Sequence, residues 1–352
     1  MNKWPLYQDP ESDELFSSWL TRNALAHGCS PMSFAGALWP SKRVWITDID
    51  CRELAWLEQG FEAWAVAAVR TTTVSLQTAV RRLSGNQPRA GNVRWLLSQG
   101  HRNRWCRCGM QFCPLCFSCQ APYYRYQWRL AWHTTCDRHG VQLSSRCANC
   151  HAPVQPHLLQ PPMLDCGRCH RCAEPLSAHH VIQSSVPRAC DFQRLADSQL
   201  NTGDRSEGWF DYAYLLISLL RYAKANQTGS SLLMLKDLGV GDHFCDETPD
   251  LPIELMEVSD RAKLLADLHP LVVTPPVQLI RMVAAYRIPA SAFGRLARNT
   301  GLGSLPSALV AAAVSTNPRR SPLRSRSESV ERSGIEKKWL RLQRKILSYE
   351  RS

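Results

Sequence analysis

The chain has 352 residues, enough for two or three compact units, and its 44 % hydrophobic and 20 % charged residues suit a folded protein over a disordered one. Its longest apolar stretches, around Ala63–Val69, Tyr214–Leu220 and Ala308–Val314, fall far short of the ~20 residues of a membrane span, and the opening MNKWPLYQDPESDE lacks the apolar core of a signal peptide. The net charge of +12 is uneven: Pro318 to Ser352 carry 11 Lys/Arg against 4 Asp/Glu, and that basic end points to a polyanion partner, nucleic acid being the usual one.

The first hundred residues read as short helices. Asp9-Pro10 has the form of an N-cap followed by proline, and Leu15, Phe16, Trp19, Leu20 and Ala24 then recur at helical spacing. Gly28 ends that helix, and Ser30-Pro31 starts the next, with Phe34 and Leu38 on its inner face. A third run begins at Leu54–Leu57, passes Phe61 and Trp64, and continues through Val66, Val69, Val74, Leu76, Val80 and Leu83 to the breaker Ser84–Pro88. Short helices and tight turns fit helix-turn-helix units and equally fit any small bundle.

From about His101 to Leu176 the text changes to Cys, His, Arg and aromatics without a long amphipathic period. Eleven of the 15 cysteines lie between Cys106 and Cys172, which in a cytoplasmic chain calls for metal before disulfides. Cys29, Cys51, Cys190 and Cys245 are scattered and read as ordinary core residues. Cys113-Pro-Leu-Cys116 and Cys136-Asp-Arg-His139 each present two soft donors from one turn, and together make a tetrahedral set for Zn²⁺. A second set follows in Cys147-Ala-Asn-Cys150 and Cys169-His-Arg-Cys172, trailed by the similar text His151-Ala-Pro-Val and Ala173-Glu-Pro-Leu. Cys166-Gly-Arg-Cys169 offers an alternative pair, and Cys106, Cys108 and Cys119 are spare. Four Cys/His ligands close a zinc site to water, so both ions read as structural. No histidine is followed two residues on by Glu, as zinc deaminases require, and the phosphate-loop and nucleophile-elbow motifs are absent.

Between the first ligand pairs lies Tyr123-Tyr-Arg-Tyr-Gln-Trp-Arg-Leu-Ala-Trp132. Trp128 and Trp132 read as a small core beneath the metals. Arg125 and Arg129 are candidates either for nucleic-acid contact or for snorkelling around that core. Helical periodicity returns at Trp209–Tyr222, Asp260–Leu268, Val277–Tyr286, Ser291–Ala297 and Leu305–Val314. The Ser/Arg/Pro-rich segment Asn317–Gly334 reads as a linker before a short basic amphipathic helix, Ile335–Tyr349. In that linker Arg319, Arg320, Arg324 and Arg326 are the residues freest to meet phosphate.

The expected architecture is mainly α. A helical, helix-turn-helix-like unit (1–100) precedes a double zinc-ribbon or knuckle unit (101–178), a second helical unit (179–316) and a basic tail (317–352).

The order Gln111-Phe-Cys-Pro-Leu-Cys116, Tyr123–Trp132, Cys136-Asp-Arg-His-Gly-Val-Gln-Leu143 and Arg146-Cys-Ala-Asn-Cys150 resembles the TniQ/TnsD family of transposon target-selection proteins. The Pro5 to Arg22 segment is similar to that family's opening helix, and Pro276–Leu296 to one of its helix-turn-helices. The resemblance implies a bacterial, nucleoid-associated protein without chemistry of its own. Such a protein links target recognition to an AAA+ regulator and transposase, with two structural Zn²⁺ ions held by the eight ligands above. It admits double-stranded DNA, an RNA-guided CRISPR complex and a second copy of the chain as partners. The alternative is a sequence-specific DNA-binding protein, either an attachment-site reader or a transcription factor.

Overall fold

Local signals account for the first two helices. Helix α1 (Phe16–Ala26) buries Phe16, Trp19, Leu20 and Ala24 completely. It ends where Gly28 turns left-handed (φ +67°) and the Cys29 amide reaches back to the Ala24 carbonyl at 2.9 Å, a closure that favours glycine. Helix α2 (Pro31–Leu38) starts as expected, with the Ser30 hydroxyl accepting from the Ser33 amide and Pro31 in the first turn. Asp9-Pro10, in contrast, caps nothing. The chain turns at Ser12-Asp13, with the Glu14 amide on the Glu11 carbonyl (3.1 Å), and the helix waits until Leu15, whose amide is taken by the Tyr124 carbonyl (2.9 Å) while Glu14 bridges to Arg125.

This computed structural model describes residues 4–51, 55–58, 63–84, 93–97, 109–178, 180–202, 208–226, 229–240, 251–294, 297 and 302–314. Among them the remaining helices are α3 (Ala63–Ser84), α4 (Pro114–Cys119), α5 (Pro187–Thr202), α6 (Trp209–Ala225), α7 (Ser230–Asp237), α8 (Val258–Val273), α9 (Pro276–Ala285) and α10 (Ser304–Ala312). Isolated antiparallel bridges, not a sheet, organise residues 109–184. The protein is thus mainly helical around a central Cys-rich segment. Among the described residues no helix is long and apolar enough to cross a membrane. The tail helix expected at Ile335–Tyr349 lies outside the described residues.

Three helices are absent from the sequence reading, α4, α5 and α7. Helix α5 turns only Ala189, Phe192, Ala196 and Leu200 inward together with a buried Gln193, an apolar stripe too sparse to stand out. Its partner α8 supplies the richer face, with Leu264, Leu265, Leu268 and Leu271 buried.

One small core joins α1, α2 and the start of α3 around Trp19, Trp39 and Val69. A second, continuous core runs from Leu76, Ala79 and Val80 at the end of α3, through Phe112 and Trp132, to the inner faces of α5, α6 and α8. It crosses the expected divisions at 100 and 178. Trp95 is its hub. Its indole packs on Trp132 and Phe192 with centroids 6.1 Å away in each case, and its ring N–H donates to the Phe210 carbonyl. The Trp95 backbone is left-handed (φ +66°), held there by its amide on the buried Glu254 carboxylate (2.7 Å).

Candidate metal centres

Three of the four ligand pairs are the same turn written in different letters. In Cys136–His139, Cys147–Cys150 and Cys169–Cys172 the first cysteine's carbonyl accepts the amide four residues on, at 2.8, 3.0 and 2.9 Å. The same cysteine's amide donates to the carbonyl five residues on, from Val141, Ala152 and Glu174. The residue after the second ligand must then be left-handed. It is Gly140 in the first turn (φ +63°), and His151 (φ +55°) and Ala173 (φ +63°) in the others. Arg146 and Arg168, each just before its cysteine, donate to the carbonyls of His151 and Ala173 at 3.1 and 3.0 Å. This shared geometry explains why similar text trails the two Cys-x-x-Cys pairs. The fourth pair differs. Cys113 is the N-cap of α4, its sulfur facing the Cys116 amide, so Pro114 lies in the first turn where its missing N–H costs nothing.

These turns converge on two sites. Cys113, Cys116, Cys136 and His139 bring one donor atom each within 4.8 Å of one another, and so do Cys147, Cys150, Cys169 and Cys172. In the first, His139 Nδ1 lies 3.5, 3.3 and 3.6 Å from the sulfurs of Cys113, Cys116 and Cys136. In the second, Cys147–Cys172 and Cys150–Cys169 are each separated by 3.6 Å. A tetrahedral ion with ligands at about 2.3 Å sets its donors about 3.7 Å apart, so the residues fit such an ion without rearrangement. Cys166 takes another course: it is buried and its thiol donates to the Pro122 carbonyl at 2.9 Å. Cys119 is exposed, 3.8 Å from His139 Nε2 on the side away from the cluster. Cys29, Cys51 and Cys190 are half-buried and free, while Cys106, Cys108 and Cys245 lie outside the described residues.

Helices on both sides hold the first site in place. Gln193 of α5 accepts the amides of Thr134 and Thr135 at 3.1 and 3.2 Å and donates to the Thr135 carbonyl and Asp137, fixing the chain that enters the Cys136 turn. On the other side, Phe112 and Phe117 stack at 5.2 Å over α4. The second site is tied down by Arg146, which pairs with Glu257 at the start of α8 (2.6 Å). Gln193 and Glu257 carry no motif, and their roles follow only from where α5 and α8 are packed.

The nucleic-acid role expected of Arg125 and Arg129 is corrected by their burial. Arg129 is 2 % exposed, and its guanidinium is shared between Asp48 and Asp50 while donating to the Leu97 carbonyl. Burial alone would lower its pKa, but the two carboxylates hold it above the ordinary arginine value. Burial in turn pushes the Asp50 carboxyl up to about 6, against the pull of Arg129. Arg125 is 7 % exposed, pairs with Asp13 at 3.2 Å, and lies over the rings of Tyr123 and Trp128. Neither side chain snorkels. Both pin the N-terminal segment and the 48–50 turn to the metal unit, and a phosphate would reach them only by displacing Asp13 from Arg125, or Asp48 and the fully buried Asp50 from Arg129. Trp128 and Trp132 form the expected core at 4 % and 0 % exposure. Arg319, Arg320, Arg324 and Arg326 lie outside the described residues.

The class of protein defined here is mainly helical, with two four-donor Cys/His clusters at its centre, each able to hold a metal ion. A family model, TniQ, matches residues 5–143, from the opening segment through the first cluster, so this part of the chain is similar to that family. No curated protein matches the chain.

Proposed function

We propose that this protein is a non-catalytic adaptor of DNA transposition, linking target-site recognition to the AAA+ regulator and transposase. The supporting observation is the position of the first Cys3His cluster. Arg125 and Arg129 clamp the N-terminal helices to one side of its surrounding segment, and Gln193 joins it to the C-terminal helices on the other. An adaptor needs two surfaces in fixed relation, and this arrangement supplies a rigid joint between them. Cys113, Cys116, Cys136 and His139 would hold one Zn²⁺, and Cys147, Cys150, Cys169 and Cys172 the other. When bound, each ion supplies cross-linking and folding free energy, with no coordination position left for substrate.

The test is co-elution of the purified full-length chain with the AAA+ regulator and the transposase of its own element, with zinc measured by elemental analysis. About two zinc ions per chain and a stable complex with the regulator are expected. Failure to bind the regulator, combined with duplex binding that depends on sequence, would replace the adaptor reading with that of an attachment-site reader or transcription factor.

A further inference from the structure

Each metal centre draws on an overlapping cysteine triple, Cys113-x-x-Cys116-x-x-Cys119 in the first and Cys166-x-x-Cys169-x-x-Cys172 in the second. Each triple leaves one sulfur outside its four-donor set. The two left-over thiols stand in opposite settings. Cys166 is buried and donates to the Pro122 carbonyl. Cys119 is the last residue of α4, is exposed, and leans on a donor of the first centre.

That centre is otherwise sealed. Cys113, Cys116 and Cys136 are buried, so a dissolved oxidant meets Cys119 before any sulfur of the donor set. His139 stands between two of these sulfurs. Its Nδ1 lies 3.3 Å from the Cys116 sulfur, and its Nε2 lies 3.8 Å from the Cys119 sulfur. An imidazole that holds a metal through Nδ1 keeps its proton on Nε2 and donates it to the group there, which is the Cys119 sulfur. The Cys119 thiol in turn donates to the Cys116 carbonyl at 3.7 Å.

Cys116 and Cys119 are also one turn apart on the same helix. Three residues of an α-helix separate two Cα atoms by about 5 Å, inside the range that a disulfide spans without backbone movement. The one sulfur open to solvent is therefore within bridging reach of a sulfur that would hold the metal.

We propose that Cys119 is an oxidation site for peroxides, and that its oxidation opens the first metal centre by drawing Cys116 into a disulfide. Peroxide transfers one oxygen to the Cys119 thiol, giving the sulfenic acid and one water. The Cys116 thiolate then attacks the Cys119 sulfur. The S–S bond forms as the S–O bond breaks, and the departing hydroxide takes a proton from solvent to become a second water. The two sulfurs give up two electrons and the peroxide accepts them. Cys113, Cys136 and His139 remain, one donor short of a closed tetrahedral set. The inference rests on the reading of this cluster as a metal centre, and it adds a way to switch that centre off.

The full-length, zinc-loaded chain and its Cys119→Ser variant should be treated with hydrogen peroxide while zinc release, disulfides and thermal unfolding are followed. Before treatment the two should match in zinc content and midpoint, since serine keeps an acceptor for the His139 proton. Peroxide should release one more zinc ion per chain from the unaltered protein than from the variant. A Cys116–Cys119 disulfide should appear in the peptide map, with loss of cooperative unfolding, and a thiol reductant with added zinc should reverse both. The second centre is common to the two chains and cancels in the difference. Equal zinc loss from both chains would overturn the proposal, and so would a Cys119 oxidised without a bond to Cys116. Either result would leave the metal reading intact, whereas an untreated chain without zinc would remove that reading itself.

Discussion

The two metal centres use the same knuckle but stand in different surroundings. In the first, Cys113, Cys116 and Cys136 are no more than 2 % exposed, walled by Phe112, Phe117 and Tyr124 and wired to α5. In the second, Cys150 and Cys172 are only half-buried, and two facing knuckles carry the site, tied to the start of α8 by Arg146 and Ser145, both on the half-exposed Glu257. A metal held inside the main core contributes to the stability of the whole fold, whereas a metal at its margin stabilises a local element. Ligand count alone would not separate them.

The largest expected effect tests this separation directly. Cys113→Ser should lose one zinc per chain together with cooperative thermal unfolding, because the core around Phe112 and Trp132 loses its cross-link. Cys150→Ser should also lose one zinc, yet leave a folded protein with a lower midpoint. In the unaltered chain, a chelator should draw out the second site's metal first. Equal losses of cooperativity in the two variants, or metal release in a single phase, would abolish the distinction.

The residues that fix each centre to the rest of the fold should differ in the same sense. Arg129→Ala strands Asp50, which is completely buried, and should cost about 3–5 kcal/mol in chemical denaturation. Arg146→Ala breaks a pair whose members are 38 % and 36 % exposed and should cost about 1 kcal/mol or less. A larger loss from Arg146 would mean that the second centre is as integral as the first.

The smallest effects lie in the knuckle turns. A Cβ at Gly140 would meet nothing within 4 Å, so Gly140→Ala isolates the cost of its left-handed backbone, about 1 kcal/mol. Ala173→Gly should be stabilising by a similar amount, because that position bears the same strain uncorrected. If Ala173→Gly destabilises the protein instead, the second knuckle's backbone is not in the conformation described.

How much of this was readable beforehand varied with the range of the interaction. The Ser30-Pro31 cap, the Gly28 stop and the paired Cys-x-x-Cys spacing depend on neighbours within about five residues, and the structure shows each as read. The choice of Cys169 and Cys172 over Cys166 was legible too, through the trailing text, because that text encodes a five-residue turn. The Asp9 cap failed because Tyr124, more than a hundred residues away, claims the amide at which the helix begins.

The sequence by itself determined the elements whose cause is local: helix periods, turns and the donor pairs that form the two clusters. Only the tertiary structure decided what the charges do. Arg125 and Arg129 stand in an aromatic, basic run that suits a nucleic-acid surface equally well, and only the arrival of Asp13, Asp48 and Asp50 from the N-terminal segment buries them. A charge has no period, and its partner lies at a distance in sequence that only folding closes.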